Sequence, residues 1–328
     1  MSTTATTIER AAPPKAGPRT FLGRLRSGDE VAHVLTLIFA AAILLITSLL
    51  VYDLWVNSHL SRAKFGWSFL WTQTWDPIFD TFGAAPFIYG TLVTSAVALV
   101  IAVPLGLAAA IFLAELAPRR LSDSVAFLID LLAAVPSVIY GLLGIFVVVP
   151  LMRTTLGPAI KQTLGFLPVF SGPNYGVGFL TAGIVLAIMV VPFIISVSRE
   201  VLLTVPRDQR EAALALGATR WEATWQVVVP WARAGILGSV FLALARALGE
   251  TMAVTMVIGN DPKIKASLFA PGYTIAAVIA NEFTEATGDL YLNALIELGL
   301  VLFLVTFILN GMARLLIIAT ERGGGHPS

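Results

Sequence analysis

Two groups of residues in this chain stand out by type and spacing. The first is Arg246, Glu250 and Thr251, within the run ARALGETMAVTM that begins at Ala245. On a helix starting near Trp231, Arg246 falls about 22 Å along the axis, near the middle of a membrane. An arginine there costs from about 3 to more than 10 kcal/mol against lipid, so it must face protein or water. Glu250 follows one turn later, within side-chain reach at i,i+4. The guanidinium stays charged at any relevant pH, and its planar fork matches tetrahedral oxyanions. Glu250 would satisfy Arg246 while no anion is present. The same pair read as a packing bridge would only fix helix positions, but charge inside a membrane segment weighs toward function.

The second group lies in RDQREAALALGATRWEATWQVVVP, from Arg207 to Pro230, the one long polar interruption in the second half of the chain. Its pattern predicts two short helices meeting at Gly217. Pro206 and Asp208 suit the start of the first helix, and Gly217 can take positive φ to stop it. Thr219 and Glu222 have the spacing of a capping box for the second, which Pro230 is expected to end. Ala212, Ala213 and Ala215 leave a smooth surface that another protein can approach closely. A passive elbow on the membrane is one alternative. A DNA-binding helix-turn-helix is another, but it lacks a basic recognition face.

The elements that position these groups follow from composition. Of 328 residues, 57% are hydrophobic and 12% charged, with a mean hydropathy of +0.85. A soluble domain carries about 25% charged residues, so this is an integral membrane protein. There is no cysteine, which excludes disulfides and thiolate chemistry, and the three histidines lie far apart. No lysine precedes Ser or Thr, so a Walker A phosphate loop is absent.

Runs of about twenty apolar residues place six transmembrane helices near 31–56, 88–116, 125–149, 177–197, 232–259 and 290–318. Residues 1–30 are expected to form a disordered cytoplasmic tail. Residues 31–87 hold the first helix and a Trp-rich interfacial segment. The core of five helices covers 88–320 with a loop at 206–230, and 321–328 form a second tail. Of the 21 basic residues, 14 fall on the side holding Arg207 and six on the other, with Arg246 within a span. The positive-inside rule therefore puts both termini and the 206–230 loop in the cytoplasm. Pro104, Pro136 and Pro192 are expected to bend their spans. Asp130 and Ser137 are weaker candidates for lining a path, with Tyr140 beside them. Glu115 is expected to reach water from the end of its span, and Glu297 to sit near the outer end of the sixth.

Glu211-Ala212-Ala213, Gly217 six residues after the glutamate, and Val227-x-Val229-Pro230 resemble the coupling-loop signature of ABC-importer permeases. The run from Arg246 through Asn260 resembles the phosphate-specific permeases of that group, of the PstC type, and the likeness extends from about Phe82 onward. The resemblance implies an all-α, type I (MetI-like) permease with a cytoplasmic coupling-helix loop. It implies a bacterial or archaeal inner membrane, with Glu211, Ala212, Ala213 and Gly217 docking the ATPase and Arg246, Glu250 and Thr251 on the substrate path. The implied partners are a sister permease, two ATP-binding cassette subunits, an extracytoplasmic phosphate-binding protein and the lipid bilayer, with no nucleic acid. The chain itself is expected to perform no catalysis and bind no cofactor, ATP being used by the partner ATPase. Another oxyanion such as sulfate or molybdate is the nearest alternative substrate; an ion-coupled secondary transporter would have no use for the docking loop.

Overall fold

The computed structural model describes residues 29–323. The expected tail over 1–30 lies outside them except for its last two residues, which already belong to a helix. Of the second tail, 321–323 are still helical and 324–328 lie outside the described residues. Residues up to Asp53 form one compact unit and those from Leu54 onward a second.

The described chain is helical, with no strands and only two isolated bridges, Asp76 with Thr81 and Gly259 with Gly272. In chain order the helices are α1 (Asp29–Asn57), α2 (His59–Phe65), α3 (Ala85–Ile111), α4 (Arg119–Ala133), α5 (Ser137–Leu164), α6 (Phe179–Leu203), α7 (Arg207–Ala215), α8 (Arg220–Leu248), α9 (Met252–Ile258), α10 (Ile275–Glu282) and α11 (Asp289–Gly323). Six of them, α1, α3, α5, α6, α8 and α11, are long and apolar enough to cross a membrane.

Two expected spans are interrupted. The run 125–149 breaks at 134–136, so α4 is a separate amphipathic helix and α5 begins at Ser137. Pro136 therefore precedes a helix instead of bending one, because a proline excludes α geometry from the residue before it and is well placed at a helix start. The stretch between the third and fourth expected spans is helical as far as Leu164. The run 232–259 breaks at 249–251 between α8 and α9.

Among the described residues, four turns of π geometry occur, at Phe112–Leu116, Gly144–Val148, Met152–Leu156 and Thr224–Val228. Each ends two residues before a proline: Pro118, Pro150, Pro158 and Pro230. A proline lacks an N–H and its ring collides with the carbonyl four residues back. The turn ahead widens, and the residue just before each proline donates five residues back, as Val229 does to the carbonyl of Thr224. In this way α5 and α8 run through their prolines. Pro230 does not end the second loop helix; that helix continues into the span.

The central helix is α6, with Leu186, Val190 and Ile194 fully buried. It lies against α3 closely enough that a Cβ on Gly183 would meet Val97 Cγ1 at 2.3 Å, and one on Gly106 would meet Ile194 Cγ2 at 2.8 Å. Ser198 of α6 and Ser239 of α8 share a buried hydroxyl contact of 2.7 Å. At the end where α3 begins, Phe69, Phe82 and Phe87 are fully buried around Trp75 and Tyr291. The Trp-rich segment is thus a folded cap more than an interfacial band, although Trp67 and Trp71 remain exposed. The short α10, unseen in the sequence, is buried under this cap, with Thr274 capping its N-terminus. Burial is the main reason that the Tyr273 phenol beside it is pushed up to about 12; the hydroxyl stays neutral and accepts from Asn281 Nδ2 at 2.9 Å.

Extra volume has nowhere to go at Gly183. Gly183→Val should destabilise the protein by about 1–3 kcal/mol, the range for overpacking, and lower its unfolding temperature in detergent. Gly238→Ala, which faces open space, should leave that temperature unchanged.

Candidate functional site

The polar loop folds as its residues dictate. Gly217 has φ +90°, its N–H donates to the Leu214 carbonyl at 3.0 Å, and Ala218 N–H donates to the Ala213 carbonyl at 3.1 Å. This is the Schellman arrangement that ends α7. At the start of α8, Thr219 N–H donates to Glu222 Oε2 at 2.8 Å and Glu222 N–H to Thr219 Oγ1 at 3.3 Å, so the expected capping box is present. Ala212, Ala213, Gly217 and Val227 line an open hollow of about 510 Å³. Leu216 stands 90% exposed at its rim, and the exposed rings of Trp221 and Trp225 pack edge to face at 5.5 Å. Glu211 is exposed on α7.

Arg210 anchors this loop, and neither it nor its partner was singled out from the sequence as a pair. Its Nη2 donates to Glu115 Oε1 at 2.7 Å and its Nε to both carboxylate oxygens at 3.2 and 3.1 Å. The same guanidinium donates to the carbonyls of Leu202, at 2.8 Å, and Val205. Glu115 is therefore paired, where exposure to water was expected. Beside it, Arg199 bridges Asp123 at 3.3 Å and Glu200 at 3.0 Å and donates to Ser122 Oγ, holding α4 against α6. These groups line a cleft of about 490 Å³ with Arg119 and Arg207.

Sixteen residues along α8 from its Pro230, Arg246 lies two residues before the helix ends at Leu248. No carboxylate among the described residues is within ion-pair distance of it. Its guanidinium sits over the Phe193 ring, 5.8 Å from the centroid. The expected i,i+4 pairing with Glu250 is not formed, because the helix stops between them. Glu250 Oε1 instead accepts from Ala253 N–H at 3.1 Å and caps α9. Thr251 Oγ1 donates to the Gly249 carbonyl at 3.3 Å, within the same break.

The weaker candidates fall elsewhere. Asp130 Oδ1 accepts from Ser196 Oγ at 2.7 Å, tying α4 to α6. Ser137 is half-buried in the first turn of α5. Tyr140 is buried and donates to the Leu132 carbonyl at 2.7 Å across the break. Glu297 is buried on α11.

Residues 102–319 match the family described as "Binding-protein-dependent transport system inner membrane component". Three relatives are similar over most of their length. A Mesorhizobium japonicum protein named Phosphate transport system permease protein PstC is 47% identical over 301 residues, covering 90% of this chain and 92% of its own. The protein of that name from Pasteurella multocida is 47% identical, covering 89% and 92%. A Methanocaldococcus jannaschii protein, named as a probable one, is 37% identical, covering 87% and 92%. Among solved structures, a bacterial ABC transporter involved in the import of the acidic polysaccharide alginate superposes with a TM-score of 0.56 at 15% identity, covering 89% of this chain and 98% of that one. The MetNI methionine ABC transporter, in an inward-facing conformation, gives 0.52 at 16%, covering 75% and 99%. The fold is therefore that of ABC-importer permeases.

Removing the Glu115 carboxylate leaves the Arg210 guanidinium without its counter-charge. Hydrogen bonds to charged groups contribute about 1.5–3 kcal/mol. Glu115→Ala should therefore make amide hydrogen exchange across residues 207–215 faster by at least about tenfold, with exchange in α6 unchanged.

Proposed function

The chain belongs to the family of binding-protein-dependent transport system inner membrane components, and from that premise we propose that it is the permease subunit of an ATP-driven importer of inorganic phosphate. One observation carries the mechanism: a single unbroken helix joins the exposed loop at Thr219 to Arg246, an arginine without a carboxylate partner among the described residues. The names of the similar proteins support phosphate as the substrate.

In this reading the chain forms half of the translocation path, a sister permease the other half. Two ATP-binding cassette subunits dock on the loop through Glu211, Ala212, Ala213 and Gly217, and an extracytoplasmic binding protein delivers phosphate from the opposite side. Both termini and the loop face the cytoplasm. The chain performs no covalent chemistry, and ATP is bound and hydrolysed by the cassette subunits. Their closure moves the α7 hollow, α8 carries the movement along its length, and the break at 249–251 opens to the substrate side. Arg246 meets the anion there, with Thr251 beside it. The Glu250 oxygen not engaged by Ala253 accepts a hydrogen bond from the P–OH that near-neutral phosphate still carries and sulfate and molybdate lack, which favours phosphate.

Two measurements test this. Arg246→Gln should abolish phosphate uptake while the subunits still assemble; uptake at the normal rate would remove Arg246 from the path. In the reconstituted complex, binding protein loaded with phosphate should stimulate ATP hydrolysis and protein exposed to sulfate should not. Equal stimulation by both would overturn the substrate assignment.

A further inference from the structure

At the end of the molecule opposite the α7 hollow, a cavity of about 290 Å³ opens between the last residues of α1, the α2 region and α11. α2 is tied to α11 there by Leu60 N–H donating to Asn293 Oδ1 at 3.1 Å. Most of the wall is apolar, with Trp55, Trp67, Leu300 and Leu304 contributing, but Arg62 and Glu297 also line it.

Glu297 is only 6% exposed, and its Oε2 has no hydrogen-bond partner among the described residues. An unpaired buried acceptor is expensive and rare. Arg62 does not bridge it: the guanidinium lies 3.6 Å over the Trp55 ring and donates to Ser58 Oγ at 3.0 Å and to the Trp55 carbonyl. One wall thus offers a buried carboxylate whose neighbouring donor is the Ser61 hydroxyl, itself without a hydrogen-bond partner among the described residues, and a guanidinium that makes its described hydrogen bonds through Nε and Nη2.

A ligand that answers both groups carries a hydrogen-bonding cation and an anion close together on an apolar body. A trimethylammonium headgroup has no N–H to give the carboxylate, and a purely anionic headgroup would be repelled by it. Exposed Trp67, with Trp55 beside it, belongs at the headgroup level of a bilayer. From Glu297 to Leu304 the apolar wall runs seven residues along α11, about 10 Å toward the membrane interior. We infer that this cavity is a binding site for a phospholipid with a primary-amine headgroup, its ammonium on Glu297, its phosphate on Arg62 and an acyl chain along Leu300 and Leu304.

The test uses the detergent-solubilised complex as it copurifies, equilibrated with equal phosphatidylethanolamine, phosphatidylcholine and phosphatidylglycerol and read by native mass spectrometry. Phosphatidylethanolamine should be retained over phosphatidylcholine by at least about tenfold, the ratio of one charge-assisted hydrogen bond. Glu297→Gln should abolish that preference, and Leu304→Trp, which fills the groove without touching the charges, should displace the lipid. Equal retention of the two lipids, retention of none, or a crosslink from Trp67 replaced by a photoreactive residue to another subunit would each overturn the assignment. If Glu297→Gln does not assemble, the unfolding temperature of the unaltered complex decides: added phosphatidylethanolamine should raise it and phosphatidylcholine should not.

Discussion

The guanidinium of Arg210 is where three segments of the structure meet. Glu115 brings the end of α3, the carbonyls of Leu202 and Val205 bring the end of α6, and Arg210 itself brings α7. The last carbonyls of a helix have no partner inside it and carry the negative end of its dipole. A forked cation can satisfy such carbonyls and a carboxylate together, as a lysine's point charge cannot. With the Glu115 side chain 10% exposed and that of Arg210 21%, solvent screens this contact little compared with a surface pair. The loop is therefore fastened to the two helices that pack most closely in the core, and a displacement of α7 must be shared with their ends.

The prolines give the same region its stiffness. Pro230 would ordinarily end or kink a helix, which would place a joint between the loop and the span. The π turn at Thr224–Val228 removes that joint by moving one hydrogen bond back a residue. What flexibility remains is concentrated at Gly217, whose positive φ joins α7 to α8 and around which a Cβ would meet nothing. Two rigid rods and one glycine make a connection able to carry movement from the exposed hollow to Arg246.

How much of this was legible in the sequence depended on the range of the interaction. The Schellman turn at Gly217 and the Thr219–Glu222 capping box are local, so residue types at fixed spacing were enough. Hydrophobic runs located six spans because length and apolarity alone set that requirement. The breaks at 134–136 and 249–251 were not legible, since each lies within a run long and apolar enough overall to be read as one span. Pro136 marked one of them and was read as a bend. The helix α10 escaped because it is too short to cross a membrane; Thr274 before an apolar run was its only sign. Contacts such as Glu115 with Arg210, 95 residues apart, cannot be inferred from spacing. The pairing of Arg246 with Glu250 was expected from spacing and fails, because i,i+4 proximity requires a helix that persists.

That failure sharpens the reading of Arg246. The first N–H groups of α9 have no partner within the helix, and a carboxylate at a helix N-terminus is favoured, so the break and the Glu250 contact to Ala253 support each other. The carboxylate committed there is the one that would otherwise neutralise Arg246. What the chain offers the arginine in its place is the face of Phe193, and a cation–π contact contributes about 0.5–2 kcal/mol. A guanidinium facing lipid costs about 3 kcal/mol or more at the centre of a span. The phenyl face falls short of that on most of the range. The half-buried arginine thus has the face of Phe193 as its described partner, at the end of α8 and beside the break at 249–251.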